Sequence, residues 1–347
     1  MKQSAYFRSI LLASLLAAAV PAVRAKSPAA APAPHTVIGA FLAPPMGAGP
    51  GKLAVLQLPQ GKRHDVSFGQ AGTPSGNSFY VAVDARTHRV FVPSIAGTTT
   101  VADYLDGKIE QQFKSIPGGR VARLSPDRQT VFVLSGKSLA AYSTRDDALR
   151  YQASVGGNAL AFNKDGSRLY VGGNMSETIA EIDTASGEIE RQIPIAHSGD
   201  LAWANGLLFS ADMKSGVMTA FNPQTNRIVA MPTGEVDPHF AYNKIPAASA
   251  GFMQLAVSPR QDRVYAAGFS GHVLHFSTTD PTYLGQVKIS AGKSGPNKLS
   301  GLAVLPDAAE AITTVENRHE SVLIDLRTGK VLKHLPKVAS NRWILAD

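Results

Sequence analysis

The sequence predicts an all-β protein, a seven-bladed β-propeller built from four-stranded antiparallel blades. Three observations predict this fold. A unit of about 40 residues, with four short apolar segments, recurs along the chain. Turn-forming residues of the same kinds separate the segments in successive copies. The apolar segments left over at the two ends of the chain complete one further blade.

The clearest copy of the unit runs from Gly157 to Ile195. It contains four predicted strands, Ala159–Phe162, Leu169–Val171, Ile179–Asp183 and Glu188–Ile193. The turns between the first and second and between the third and fourth strands hold Gly, Asp, Asn and Ser, which tolerate or stabilise turn geometry. Four short strands with tight turns are typical of one propeller blade.

The second strand of the unit is the most regular landmark. It recurs at intervals of 38 to 56 residues as Val90-Phe91-Val92, Val131-Phe132-Val133, Leu169-Tyr170-Val171, Leu208-Phe209-Ser210, Val264-Tyr265-Ala266 and Ala311-Ile312-Thr313. These strands are more uniformly apolar than a sheet with one wet face requires, which indicates that neighbouring blades cover both faces. Six full units are therefore visible.

The seventh blade is predicted from both ends of the chain. Val37–Leu42, Leu53–Leu58 and His64–Phe68 give three strands, and Trp343–Ala346 gives an inner strand. Pairing of the N-terminal strands with the C-terminal strand would close the ring and leave no sheet edge open.

The turns and strands of two units resemble the YVTN-type repeats of exported bacterial propellers. Gly166–Val171 with Ile182–Gly187 is the best match, and Leu323–Lys330 is the second. The resemblance covers about residues 78–337, but Thr144–Asp147 and other turns depart from it. It implies a propeller fold and, for function, mostly binding or scaffold roles, with lactonase-like and dehydrogenase-subunit relatives.

The first 25 residues are predicted to be a signal peptide. Lys2 and Arg8 precede the apolar run Ile10–Val20, and Val23–Ala25 offers a small-x-small cleavage site. An uncleaved membrane anchor is the alternative, although the run is about half the length that spans a bilayer. We expect a periplasmic protein with no transmembrane segment in the mature chain.

Two segments follow the predicted signal peptide. Residues 26–36 are an Ala/Pro-rich leader that we expect to be disordered, and residues 37–347 are expected to form a single propeller domain. Without the signal peptide the chain keeps 31 basic and 26 acidic residues, which mildly favours anionic partners. No run of five like charges exists, so nucleic acid is not an expected partner.

Cofactor and nucleophile signatures are absent from the sequence. The chain has no Cys, which excludes disulfides, thiolate nucleophiles and thiolate metal ligands. It also has no G-x-S-x-G elbow, P-loop or dinucleotide fingerprint. Only two Trp residues are present, unlike quinone-cofactor propellers. We therefore predict no cofactor, no metal and no catalytic residue.

One face of the ring is the expected binding surface, because loops held by a rigid scaffold carry function. Alignment of the units places seven residues at the channel mouth on this face: Phe79, Arg120, Asn158, Gly199, Met253, Ser300 and Arg342. The two arginines could clamp a carboxylate or phosphate. Alternatively, they pair with nearby Asp residues or loop carbonyls.

Further candidates lie on the same face. The long loop Glu235–Ala250 holds His239 and Tyr242, with Asp237 and Lys244 beside them. The predicted binding residues are Arg120, Asn158, His197, His239, Tyr242, Glu316, Arg318 and Arg342.

These features lead to two hypotheses for function. The first is a monomeric binding or scaffold propeller for an anionic small molecule, peptide or protein. The second is a lactonase-like hydrolase in which a metal, or a carboxylate–His pair from Glu316, His239 and His197, activates water at the channel mouth.

Overall fold

The computed structural model describes residues 34–40, 51–68, 78–212, 215–235, 251–290, 297–307 and 309–346. Pro34–Asp347 form one compact unit. Within the described residues the chain forms seven four-stranded antiparallel sheets arranged in a ring, so the predicted fold is confirmed. One 3-10 turn, Glu316–Arg318, is the helical element of the described part. No helix of that part has the length and apolar character needed to cross a bilayer.

Each sheet is one blade, and the blades are numbered from the one that contains the chain's first strand. Blade 1 holds β28 (Trp343–Leu345), β1 (His35–Gly39), β2 (Gly51–Leu58) and β3 (Lys62–Phe68); blade 2 holds β4 (Ala82–Asp84), β5 (Arg89–Pro93), β6 (Thr98–Asp103) and β7 (Ile109–Lys114). Blade 3 holds β8 (Val121–Leu124), β9 (Thr130–Leu134), β10 (Leu139–Ser143) and β11 (Leu149–Ala153); blade 4 holds β12 (Ala159–Phe162), β13 (Arg168–Gly172), β14 (Ile179–Asp183) and β15 (Ile189–Ile193). Blade 5 holds β16 (Ser198–Ala204), β17 (Leu207–Asp212), β18 (Val217–Asn222) and β19 (Arg227–Pro232); blade 6 holds β20 (Phe252–Val257), β21 (Arg263–Gly268), β22 (His272–Ser277) and β23 (Thr282–Lys288). Blade 7 holds β24 (Leu299–Val304), β25 (Glu310–Val315), β26 (Glu320–Asp325) and β27 (Val331–Pro336).

The two ends of the described chain close blade 1. β28 pairs antiparallel with β1, with Ile344 opposite Ile38, and β1 in turn pairs with β2. The predicted closure of the ring is therefore confirmed. The predicted first strand, Val37–Leu42, begins at His35 in the structure and ends at Gly39; residues 41 and 42 lie outside the described residues.

The turn between the third and fourth strands of blade 4 shows why its sequence repeats. The Oδ1 atom of Asp183 accepts hydrogen bonds from the backbone N–H groups of Ala185 (3.0 Å) and Ser186 (2.9 Å). Gly187 follows with φ +79°, a conformation that glycine adopts without a steric penalty. Asp325 accepts equivalent bonds in blade 7. An Asp followed four residues later by Gly therefore specifies the turn.

Blade 5 lacks the Pro-Asp turn of blades 3 and 7 and uses a shorter one. Asn205 and Gly206 connect β16 to β17, with φ values of +48° and +80°. Two consecutive positive φ values define a type I′ hairpin, for which Asn-Gly is a preferred pair. The irregular repeat in this unit therefore encodes a different hairpin.

The core lies between blades. Buried apolar side chains of the described residues form seven clusters, and each joins two neighbouring blades: blades 1 and 2, 2 and 3, 3 and 4, 4 and 5, 5 and 6, 6 and 7, and 7 and 1. Burying one large aliphatic or aromatic side chain contributes about 1.5–3 kcal/mol. Because each cluster needs two blades, no blade can bury its own apolar surface alone.

Candidate functional site

A cavity of about 650 Å³ opens at the channel mouth. Blades 2, 3 and 4 supply most of its lining through the loops that precede their first strands and those between their second and third strands. Met253 of β20 and the Asn341–Arg342 segment before β28 complete it. Its volume lies within the range of about 300–1,000 Å³ that is common for small-molecule sites.

The cavity has a positive lining. Arg120, Lys137 and Arg342 are among its described lining residues, and no Asp or Glu is. Elsewhere on the propeller, Arg128 and Arg168 lie within 4 Å of carboxylates. No carboxylate of the described residues lies as close to the three cavity cations. An anion entering the cavity would therefore meet positive charges that no close ion pair within the described part of the chain neutralises.

Arg342 is the deepest of these cations, with only 4% of its surface exposed. Its Nη1 donates a hydrogen bond to the carbonyl oxygen of Asn341 at 2.7 Å, and its Cζ lies 5.1 Å from the centre of the Tyr80 ring. Its Nε is buried and has no hydrogen-bond partner among the described residues. Pairing with a loop carbonyl, the alternative role predicted for this arginine from the sequence, is found for Nη1.

Arg120 and Lys137 lie nearer to solvent. The guanidinium of Arg120 lies over the ring of Phe79, with Cζ 5.5 Å from the ring centre, so a cation–π contact orients it along the cavity wall. Lys137 is exposed in the loop between β9 and β10. Its contribution was not predicted, because it belongs to a second-to-third-strand loop that contained no other signal.

Tyr80 and Asp200, which are outside the cavity lining, form a buried hydrogen bond between separate parts of the ring. The Tyr80 hydroxyl donates to Oδ2 of Asp200 at 2.7 Å, linking the segment before blade 2 to the inner strand of blade 5. Burial, with the charge of Asp200 as the next cause, raises the pKa of Tyr80, so its phenol stays protonated and donates. Arg123 also lies over the Tyr80 ring, with Cζ 3.9 Å from its centre.

Asp200 and Gln254 also hold the inner strands of the ring together. Asp200 Oδ2 accepts a hydrogen bond from the Leu255 backbone N–H at 2.8 Å, and Gln254 Oε1 accepts one from Leu302 N–H at 2.8 Å. Both N–H groups lie where the ladder of β20 or β24 shifts its register. Side chains from the preceding blade therefore satisfy donors that the ladder leaves unpaired.

Glu316 is an acidic group within electrostatic range of Arg342, although it is outside the cavity lining. Burial raises the pKa of its carboxyl group, while the Ser300 hydroxyl and the charges of Arg342, Lys298 and His319 oppose that rise. Its Oε1 is buried without a hydrogen-bond partner among the described residues. Glu316 is therefore an incompletely stabilised carboxylate that weakens the field of Arg342 without forming a close ion pair.

The other predicted residues occupy different positions. Asn158 lines the cavity, but its Nδ2 donates to the Gly199 carbonyl at 3.0 Å and its Oδ1 accepts from Asn174 N–H at 2.9 Å, so it shapes the wall. His197 lies outside the lining and contacts it through a backbone bond to Ser176 O at 2.8 Å. Arg318 lies in the 3-10 turn and is not a lining residue. His239 and Tyr242 lie outside the described residues.

The hydrolase hypothesis requires a metal or a carboxylate–His pair at the channel mouth. Within the described ranges, no group of three or more His, Asp or Glu side chains is arranged to hold a metal ion. His239, one of the residues proposed for the carboxylate–His pair, is outside those ranges.

A second cavity, of about 620 Å³, lies between the outer parts of blades 6 and 7. Tyr265 and His275 lie in its wall with their rings edge to face, 4.9 Å apart. Burial lowers the pKa of His275 to about 4, and Arg263 adds to this effect. The ring is thus neutral at pH 7, and the cavity has no counterpart of the buried arginine at the channel mouth.

The class that this architecture defines is the seven-bladed β-propeller. No protein-family model matches the sequence, and no curated protein is similar to it. The YVTN-repeat resemblance is therefore not confirmed, whereas the propeller fold that it implied is.

Solved structures with the same fold include three propellers. The hydrazine synthase of Kuenenia stuttgartiensis matches 79% of this chain and 90% of its own, with 12% identity and a TM-score of 0.63. U3-55K matches 79% and 85%, with 12% identity and a TM-score of 0.63. The WD40 repeats of RRP9 match 79% and 84%, with 11% identity and a TM-score of 0.64. At these identities the likeness establishes the fold alone.

Proposed function

We propose that the protein is an exported, non-catalytic binding propeller whose channel-mouth cavity takes an anionic ligand. One observation carries the proposal: Arg342 is buried in a cavity that also holds Arg120 and Lys137, and no described lining residue is acidic. Burying a cation without a close partner is costly, so an anion at this position lowers the free energy of the complex. The N-terminal segment, which resembles a signal peptide, supports export.

The test is binding of anions to the purified chain that lacks residues 1–25. A panel of carboxylates, phosphates and sulfonates is screened by thermal shift and confirmed by calorimetry. Arg120→Gln and Lys137→Gln should each weaken binding, and the effect should shrink at high salt because both side chains are partly screened. Arg260→Gln is the matched control: it removes the same charge from an 80%-exposed side chain that already pairs with Asp262.

Two outcomes contradict the proposal. If every anion binds the Arg120 and Lys137 variants as tightly as the wild type, the cavity is not the site. If the purified protein contains a stoichiometric metal and hydrolyses lactones, and Glu316→Gln abolishes turnover, the lactonase-like hypothesis replaces it. Export is tested separately, by determining whether the N-terminus of the protein from a periplasmic fraction is Lys26.

A further inference from the structure

We propose that the ligand of the channel-mouth cavity is an amphipathic monocarboxylate, with one carboxylate group near Arg342 and an apolar body along the cavity wall. This inference rests on the proposed function and names the chemical class of its ligand. Three properties of the cavity support it: the number of buried cations in its lining, the apolar wall and the depth of Arg342.

The charge of the ligand follows from the depth of each cation. Arg342 is the deep cation, at 4% exposure, whereas Arg120 is half-buried and Lys137 is exposed. One buried positive charge balances one negative charge. A phosphate monoester carries close to two negative charges at pH 7, and Glu316 already places a carboxyl group within electrostatic range of Arg342. The desolvation cost of the second charge would therefore be poorly compensated.

The apolar body follows from the wall. Phe79, Ile95, Pro117 and Met253 line the same cavity as Arg342. Covering apolar surface contributes about 25 cal/mol per Å², which a small hydrophilic anion would not gain. Met175, at 70% exposure, also lines the cavity, and its unbranched thioether side chain can adapt to an apolar ligand.

The orientation follows from the depth of Arg342. This lining residue is 4% exposed, and its Cζ lies 5.1 Å from the centre of the buried Tyr80 ring, which is outside the lining. The carboxylate therefore enters first and stops near Arg342, while the apolar body remains along the wall towards the mouth. Arg120 and Lys137, nearer to solvent, attract the anion as it approaches.

The experiment compares probes that share either the alkyl chain or the polar group. Octanoate, octyl phosphate and 1-octanol have the same chain, while acetate and inorganic phosphate provide the polar groups alone. Calorimetry on the chain without residues 1–25 should show octanoate binding at least about tenfold more tightly than each of the other four probes, since about 1.4 kcal/mol is a tenfold change. Ile95→Ser should weaken octanoate binding but leave acetate binding unchanged.

The variants distinguish the contribution of the carboxylate from that of the alkyl chain. Arg342→Gln should weaken octanoate binding more than tenfold and leave 1-octanol unaffected, and Arg260→Gln should change neither. If Arg342→Gln does not fold, the probe series on the wild type and Ile95→Ser decides alone.

The failure of this inference differs from the failure of the proposed function. Tighter binding of octyl phosphate or inorganic phosphate than of octanoate overturns the monocarboxylate and retains an anion site. Equal binding of octanoate and 1-octanol overturns the monocarboxylate alone, because the carboxylate then contributes nothing. No binding by any anion overturns both.

Discussion

The Tyr80 hydroxyl and the Asp200 carboxylate form a 2.7 Å hydrogen bond between the segment that precedes blade 2 and the inner strand of blade 5. Tyr80 is fully buried, and Asp200 is 1% exposed. The same carboxylate oxygen accepts the Leu255 N–H of blade 6. One pair of side chains thus links the segment before blade 2 with blades 5 and 6, and its Tyr80 ring also contacts Arg342, so the stability of the ring and the position of Arg342 depend on the same residue.

Removal of the Tyr80 hydroxyl should destabilise the whole propeller. Tyr80→Phe leaves Asp200 with one fewer donor in a buried position, which costs about 1–3 kcal/mol. Urea unfolding followed by circular dichroism measures the change. Tyr283→Phe is the control, because its hydroxyl donates to Gln286 at 3.0 Å on an exposed part of β23. A loss no greater than that of Tyr283→Phe would show that the bridge contributes nothing.

Local sequence predicts the blades because each turn is specified within a few residues. Ala159–Phe162 and Ile179–Asp183 coincide with β12 and β14, since Asp, Asn and Gly fix the hairpins beside them. The resulting alignment also places Arg120 and Arg342 at one cavity.

Contacts between distant blades cannot be predicted from the local sequence of either blade. Tyr80 and Asp200 are 120 residues apart, and nothing in either unit indicates that one reaches the other. The hydrogen bond from the side-chain amide of Asn158 is equally unpredictable, because its acceptor, the Gly199 carbonyl, belongs to the next blade. A position at the channel mouth can thus be predicted from the repeat, whereas the hydrogen bonds that decide its role require the ring to be assembled.

The strand that closes the ring should be among the most sensitive positions. Trp343 is 1% exposed, its Nε1 donates to Thr314 Oγ1 at 2.9 Å, and its backbone N–H donates to Gln254 Oε1 at 2.8 Å. Trp343→Ala should cost about 3–5 kcal/mol, the range for a buried Trp. Trp203→Ala should cost less, because Trp203 is only partly buried against Tyr170. Urea unfolding of both variants tests the order, and the reverse order would contradict a role of β28 in closure.

His275 should make the protein less stable in mild acid. Burial lowers the pKa of its ring to about 4 from an ordinary value of 6.5. Between these two pH values the unfolded chain therefore binds a proton at this ring, whereas the folded chain does not. The stability is complete above pH 6.5 and declines as the pH falls towards 4. His275→Gln should flatten this part of the stability profile. His334→Gln, at a 53%-exposed side chain, is the comparison, and an unchanged profile in His275→Gln would be evidence against a neutral, buried ring.

Glu316 should show the opposite dependence on pH. Burial raises the pKa of its carboxyl group above the ordinary value of 4.5, so the folded chain holds this proton more tightly than the unfolded chain. The resulting stability is present below pH 4.5 and is lost as the pH rises through the raised pKa. Glu316→Gln, which removes the buried charge, should therefore be more stable than the wild type at pH 7 and equal to it at acidic pH. Glu188→Gln changes the same charge at an exposed site and serves as the control.

The same variant tests whether Arg342 is available to a ligand. Ser300, Arg342, Lys298 and His319 all favour the charged form of Glu316, yet burial outweighs them. If this balance is correct, Glu316→Gln strengthens binding of an anionic probe at pH 7, because the field of Arg342 is no longer opposed. A variant that is less stable than the wild type at pH 7 and binds the probe no better would mean that Glu316 is the partner of Arg342. In that case the buried cation is already neutralised by its own chain, and the main reason for placing an anion at the channel mouth is lost.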